Sequence, residues 1–280
     1  MTAGGGMGNL AKRFATAGVL VPLVLAAIYA DPTPVAVTAL ATLAAAVGHD
    51  EWLRMALPVT ADDRALGLRA AGAAVCAALV ILSVLFGPLD ALTPLLTVAT
   101  MGLCTVVLFR RTRLPEAGRH ASAALFGVLY VGLLLAPLPL MKAEGRPDLL
   151  VVTLCLAFFS DTVAYFFGRF FGKRKLYPAV SPKKTRAGAL GGLVGGVLAT
   201  AGVGTAWLVP ELSVGPAVAL GLVGSVAGQV GDLVESMAKR TFDVKDSGHL
   251  LPGHGGVLDR VDGLLFVGPV VYWFVVLFGY

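Results

Sequence analysis

The residues able to do chemistry in this chain of 280 residues gather in its second half, and most are acids, lysines and hydroxyls. Asp232, Glu235, Ser236, Lys239 and Arg240 stand at offsets of 3, 4, 7 and 8, so all five share one face of a helix. Asp161 sits inside an apolar run, followed at helical spacing by Tyr165, Gly168 and Arg169. A carboxylate there costs about 2.5–3.5 kcal/mol if it faces lipid, so it must face a cation or a wet cavity. Next comes Ser181-Pro182-Lys183-Lys184-Thr185-Arg186, directly before a long apolar stretch. Ser at a cap with Pro at the first helical position predicts a helix start at Ser181. The free amides and positive dipole end of such a start suit phosphate, and two lysines and a threonine add charge and hydrogen bonds. The last polar group is His254-Gly255-Gly256-Val257-Leu258-Asp259-Arg260-Val261-Asp262, in which Asp259 and Asp262 share a face if the stretch is helical. Carboxylates from separate segments beside a basic loop suit a hard cation such as Mg²⁺ bridging to phosphate oxygens. The plainer reading of the same acids and bases is an ion-pair network that seals helix ends.

The elements that must position these groups are membrane helices. Hydrophobic residues make up 57% of the chain and charged residues 14%, with a mean hydropathy of +0.82. A soluble domain carries roughly 25% charged residues to cover its surface. The composition therefore excludes an ordinary soluble protein, a disordered one and a nucleic-acid binder. Apolar runs long enough to span a bilayer cover 14–30, 32–48, 70–89, 91–109, 121–141, 149–168, 187–210, 212–231 and 263–280. They predict an all-α polytopic integral membrane protein of about nine transmembrane helices. With the N-terminus in the cytoplasm, all but two of the 22 Lys and Arg residues, Lys142 and Arg146, fall on the inner side. The net charge of +5 thus reflects topology, and the basic face attracts anionic lipids and solutes. Met1–Asn9 is Gly-rich and expected to lack fixed structure, and 14–30 reads as an uncleaved first helix.

The chain changes character near residue 145. Residues 1–145 read as scaffold helices in contact with lipid, and 146–280 as a catalytic membrane region with its site at the cytoplasmic face. His49, Asp50 and Glu51 flank a span end and read as interfacial, while Arg110, Arg111 and Arg113 read as topology anchors. Pro137 and Pro139 are expected to kink the fifth span. Gly188, Gly191, Gly192, Gly195 and Gly196 read as small residues that let helix backbones approach closely, which is compatible with a dimer without requiring one. Cys76, Cys104 and Cys155 all lie in apolar runs without ligand spacing, so they read as small buried hydrophobes.

The stretch from Ser236 through Lys239-Arg240, Lys245-Asp246, Gly248, Pro252, His254-Gly255-Gly256 and Asp259-Arg260 to Asp262 closely resembles the signature of phosphatidate cytidylyltransferases, also called CDP-diacylglycerol synthases. Ser160-Asp161-Thr162, Tyr165, Gly168-Arg169 and Ser181-Pro182-Lys183-Lys184-Thr185 also look like segments of that family. The strong resemblance covers about residues 158–262 and departs from the pattern at Ala187 and Ala238. It implies that CTP and phosphatidic acid give CDP-diacylglycerol and pyrophosphate at a site open to the cytoplasm and the inner leaflet of the cell membrane. It also implies that Asp232 and Asp259 hold Mg²⁺, with a second cation left open, and that Asp262 and Asp161 support them. Ser181, Lys183, Lys184 and Thr185 are then expected to hold nucleotide phosphates. Lys239, Arg240, Lys245, His254 and Arg260 are expected at the lipid phosphate or the leaving group. Two other functions use similar residues. A CTP-dependent lipid kinase would transfer the γ-phosphate, and an ion-coupled transporter would spread its polar groups across the bilayer.

Overall fold

The computed structural model of the chain describes residues 18–57, 64–109, 114–251 and 255–280. It divides into two compact units, one formed by residues up to Leu140 together with Val244–Arg260, the other by Met141–Asp243 together with Val261–Tyr280.

The first unit contains α1 (Gly18–Tyr29), α2 (Val35–Ala56), α3 (Arg64–Phe86), α4 (Pro88–Phe109) and α5 (Leu114–Gly127). A π-helical turn, Val128–Leu133, continues α5, and a break at Ala136 separates it from α6 (Pro137–Ala143). Pro137 thus opens a new helix, and the expected distortion of this span is spread over the π turn and the break. The Asp31 carboxylate starts α2 by accepting from the backbone N–H of Thr33 (2.8 Å) and of Ala36 (3.0 Å). At its other end, Asp50 pairs with Arg54 at 2.8 Å and with Arg69 of α3, tying two helix ends together. Asp50 lies beyond the apolar run. Burial alone would raise its pKa, but the hydrogen bonds and charges of Arg69 and Arg54 outweigh this and hold it below the usual carboxylate value. His49 and Trp52 point inward instead, reaching the carbonyl oxygens of Ala124 (3.2 Å) and Ala123 (2.9 Å) on α5. Gly72 and Gly127 leave room for the His49 ring, since a Cβ at either position would lie 2.0 Å or 2.9 Å from it. Cys76 is buried, as expected, whereas Cys104 is exposed on α4 and Cys155 is half-buried.

The second unit is built on α7 (Pro147–Phe171), α8 (Arg186–Val197), α9 (Val214–Thr241) and α10 (Leu258–Phe278) from Val261 onward. A π-helical stretch, Leu198–Leu208, continues α8. The glycines of α8 are all buried and press against its neighbours. A Cβ at Gly191 would meet Phe167 at 2.5 Å, one at Gly195 would meet the Phe159 carbonyl at 2.5 Å, and one at Gly196 would meet Ser225 Oγ at 1.8 Å. The close approach lets polar side chains bond across helices to backbone carbonyls. Ser225 Oγ donates to Gly192 O at 3.1 Å, Thr200 Oγ1 to Ala217 O at 2.7 Å, and Gln229 Nε2 to Ala189 O at 3.2 Å.

One expectation, the helix start at Ser181, is corrected. The fold is all-α as expected, with one short antiparallel hairpin of β1 (Lys175–Tyr177) and β2 (Ser181–Thr185), which pairs Lys175 with Thr185 and Tyr177 with Ser181. The helix therefore starts at Arg186 and not at Ser181, and its cap is Thr185, whose Oγ1 accepts from Gly188 N at 3.1 Å. Pro182 does not open a helix; it sits in a strand of a two-stranded sheet, where its missing N–H leaves no interior ladder bond unmade. Among the described residues, seven helices are long and apolar enough to cross a membrane. The two left out are α2, whose last two turns carry His49, Asp50, Glu51 and Arg54, and α1, with 12 described residues. The protein is an integral membrane protein.

Packing this tight makes a specific stability prediction. Gly196→Ala should lower the thermal unfolding midpoint in detergent, at a cost of about 1–3 kcal/mol from overpacking. Gly202→Ala, where nothing lies within 4 Å of a new Cβ, should leave the midpoint unchanged or raised. Equal midpoints for the two variants would refute this account of the α8 contacts.

Candidate active site

In the second unit, α7, the hairpin, the start of α8 and the middle of α9 enclose a cavity of about 450 Å³. Its charged lining is Asp161 and Arg169 from α7, Lys183 and Lys184 from β2, and Asp232 from α9. Glycine makes the enclosure possible. A Cβ on Gly168 would lie 3.1 Å from Thr185 Oγ1, one on Gly172 would lie 2.7 Å from the same atom, and one on Gly188 would meet the Ala164 carbonyl at 2.9 Å. Backbone contact between α7 and the start of α8 thus puts the capped helix terminus against the cavity wall. Thr185, itself buried, holds that terminus.

The polar groups in and beside the cavity are connected. Lys184 Nζ lies 2.7 Å from Asp232 Oδ2, joining the hairpin to α9, and Ser236 Oγ donates to Asp232 Oδ1 at 3.3 Å. One turn further along α9, Lys239 pairs with buried Glu235. Asp161, Asp232 and Asp262 lie near enough for their charges to act on one another, with Lys184 and Lys239 as the cations answering them. Arg169 Nη1 donates to Tyr165 Oη at 3.1 Å, so the helical spacing read on α7 does bring these two together. Lys183 is exposed, as is Arg240 at the end of α9. Ser181 stands at the opposite end of β2 and does not line the cavity. Gln229 does line it, and sequence reasoning passed over it. A lone amide within an apolar span is the signal that could have found it.

The other site residues lie in the first unit, in the segment leading to α10. Asp259 Oδ2 accepts from Ser247 N at 2.9 Å and from Gly256 N at 2.8 Å, while Ser247 Oγ accepts from Asp259 N at 3.3 Å. Gly255 has φ +81°, a left-handed conformation that favours glycine, and a Cβ there would sit 2.6 Å from Asp259 Oδ2. Lys245 and Arg260 are exposed, and His254 lies outside the described residues. Asp259 and Asp262 share α10 as expected, but the Asp259 carboxylate closes a loop, while Asp262 Oδ1 accepts from Gly263 N at 2.8 Å. The acid that sequence reasoning set aside as interfacial, Glu51, is 5% exposed. It accepts from Ser247 Oγ (3.1 Å), Val257 N (3.0 Å) and Leu258 N (2.8 Å). Position alone could not separate it from Asp50, its neighbour in an ion pair.

Among the described residues, no three His, Cys, Asp or Glu side chains come together closely enough to hold a metal ion by themselves. An ion held there would need ligands from its substrate, as Mg²⁺ does when one or two carboxylates share it with phosphates and water.

Over residues 11–278 the chain matches the family model described as "Cytidylyltransferase family". It is 51% identical over 129 residues to a phosphatidate cytidylyltransferase of Bacillus subtilis, covering 44% of this chain and 46% of that protein. It is 42% identical over 157 residues to one of Staphylococcus saprophyticus (54% and 57% covered), and 39% identical over 183 residues to one of Brucella abortus (62% and 63% covered). The chain thus spans about half to three-fifths of the length of the curated relatives it matches.

The relocated helix start gives a direct test. Thr185→Ala should cost about 1 kcal/mol of stability in a denaturant or thermal titration. Ser181→Ala should cost less than half of that, and the reverse ranking would restore Ser181 as the cap.

Proposed function

The chain belongs to the cytidylyltransferase family, and on that premise we propose that it is a phosphatidate cytidylyltransferase, joining CTP and phosphatidic acid to give CDP-diacylglycerol and pyrophosphate. The observation that carries this reading is the cavity of the second unit. There a lysine–carboxylate pair, one further acid, Asp161, an exposed lysine, an arginine and a capped helix start lie together within an apolar helical frame.

The chemistry asks little of a base. A phosphate monoester has a second pKa of about 6, so the lipid phosphate is mostly dianionic near neutral pH. One of its oxygens attacks the α-phosphorus of CTP, the bond from that phosphorus to the bridging oxygen breaks, and pyrophosphate departs with the electron pair. What remains is to bring two polyanions together and stabilise the charge on the leaving group, which is positioning and electrostatics. Lys183, Lys184 and Thr185 hold nucleotide phosphates in this proposal, with Ser181 at the edge of their hairpin. Lys239, Arg240, Lys245, His254 and Arg260 take the lipid phosphate or the pyrophosphate. Asp232 and Asp259 would hold Mg²⁺, with Asp161 and Asp262 as supporting acids, and the ion would supply charge neutralisation for the phosphates. Lys184, paired with Asp232 at 2.7 Å, is placed by that contact to meet a triphosphate as a second partner.

The topology completes the proposal. Nine helices with the N-terminus inside put the hairpin and the α9 exit at the cytoplasmic surface of the cell membrane, where CTP is available. Residues 146–280 carry the chemistry on a scaffold of 1–145, and the Gly-rich helices are compatible with a homodimer.

The deciding assay uses purified protein, phosphatidic acid, Mg²⁺ and CTP labelled separately at the α- and γ-phosphates. Lipid-soluble α-label, with γ-label released as pyrophosphate, is the expected result, and chelation should abolish it. Lipid-soluble γ-label would identify a kinase, and label in neither form would overturn the proposal. Asp232→Asn and Asp259→Asn should each lower turnover by about 100-fold or more in protein that remains folded.

A further inference from the structure

We infer that Glu51 of α2 is a positioning residue for the reaction, acting as the anchor that fixes the segment bearing Asp259. The inference rests on the proposed role of Asp259 in cytidylyl transfer. Three donors converge on one buried carboxylate: the Ser247 hydroxyl at 3.1 Å and the backbone N–H groups of Val257 and Leu258 at 3.0 and 2.8 Å. Val257 directly precedes α10 and Leu258 opens it, at a helix start whose first amides have no partner within the helix. Glu51 satisfies them from a different helix and places a full negative charge at the positive end of the α10 dipole. Ser247 then passes the constraint on. Its hydroxyl donates to Glu51 and accepts from Asp259 N, while its own N–H donates to Asp259 Oδ2. Gly256 N gives Asp259 Oδ2 a second donor at 2.8 Å.

The fit around Glu51 is close enough to exclude side chains. A Cβ at Gly248 would lie 2.4 Å from Glu51 Oε1, and one at Gly256 would lie 2.5 Å from Oε2. Two glycines of the segment that resembles the family signature therefore have a stated steric reason, supplied by a residue near the other end of the chain. The nearby Asp50 is spent on Arg54 and Arg69 and does not share this duty.

Glutamine tests the charge at nearly constant volume. It keeps one acceptor oxygen but turns an N–H₂ group toward donors, so the three hydrogen bonds cannot all form. In the full-length protein in detergent, Glu51→Gln should speed hydrogen exchange in peptides covering 244–260 while peptides from α7, α8 and α9 exchange as in the wild type. In the labelled-CTP assay, kcat should fall about 10–100-fold, with KM for CTP unchanged; a purely structural loss would lower the folded fraction without this split. Ser247→Ala, which removes one link, should produce a smaller change in the same two readouts, and it carries the test alone if Glu51→Gln does not fold. Wild-type exchange across 244–260 in the folded variant overturns the inference, whether or not the enzyme is active. An unchanged kcat beside an active wild type also overturns it. If the wild type transfers no cytidylyl group, the proposed function fails, and exchange alone then judges the anchor.

Discussion

A charge among apolar helices costs about 2.5–3.5 kcal/mol unless another group answers it, and the polar parts of this protein are arranged around that cost. Lys184 answers Asp232, Lys239 answers Glu235, and Arg69 with Arg54 answers Asp50. Glu51 has no ion pair among the described residues, yet three donors meet it in a buried position. Each arrangement fixes the geometry of the chain around it, since removing one partner would strand the other. Two of these cations, Lys184 and Lys239, are also the ones that the proposed reaction assigns to phosphate.

Close backbone approach is what brings those groups within reach. On α8, Gly188, Gly191, Gly192, Gly195 and Gly196 are buried against α7 and α9. With side chains there, the helices would stand further apart, and the ion pair from β2 to Asp232 would have to stretch. The same device recurs in the first unit, where Gly248 and Gly256 admit the Glu51 carboxylate to the amides it binds. Small residues thus serve packing in both units.

Some of this was legible from the sequence because its signal is local. Asp232 through Arg240 share a helix, and a period of 3.6 places them correctly; the i,i+4 pairs Asp232–Ser236 and Glu235–Lys239 follow from it. Tyr165 and Arg169 are a further case. The hairpin was not legible: Ser-Pro before an apolar run is a good helix start, and only pairing with Lys175–Tyr177 makes it a strand. Once the strand forms, Thr185 inherits the cap. Glu51 was missed because its donors are about 200 residues away, and nothing near it in the chain distinguishes it from Asp50.

The sequence by itself determined that this is a membrane protein, which helix faces carry charge, and to which family the polar segments belong. Those properties depend on composition and on neighbours three or four positions apart, which local geometry maps directly onto a surface. The tertiary structure alone decided where α8 begins, that Gln229 reaches the cavity, and that a carboxylate on α2 holds the segment carrying Asp259. Each of these depends on which distant backbone amide or carbonyl lies within hydrogen-bonding reach, and that distance exists only once the helices have packed.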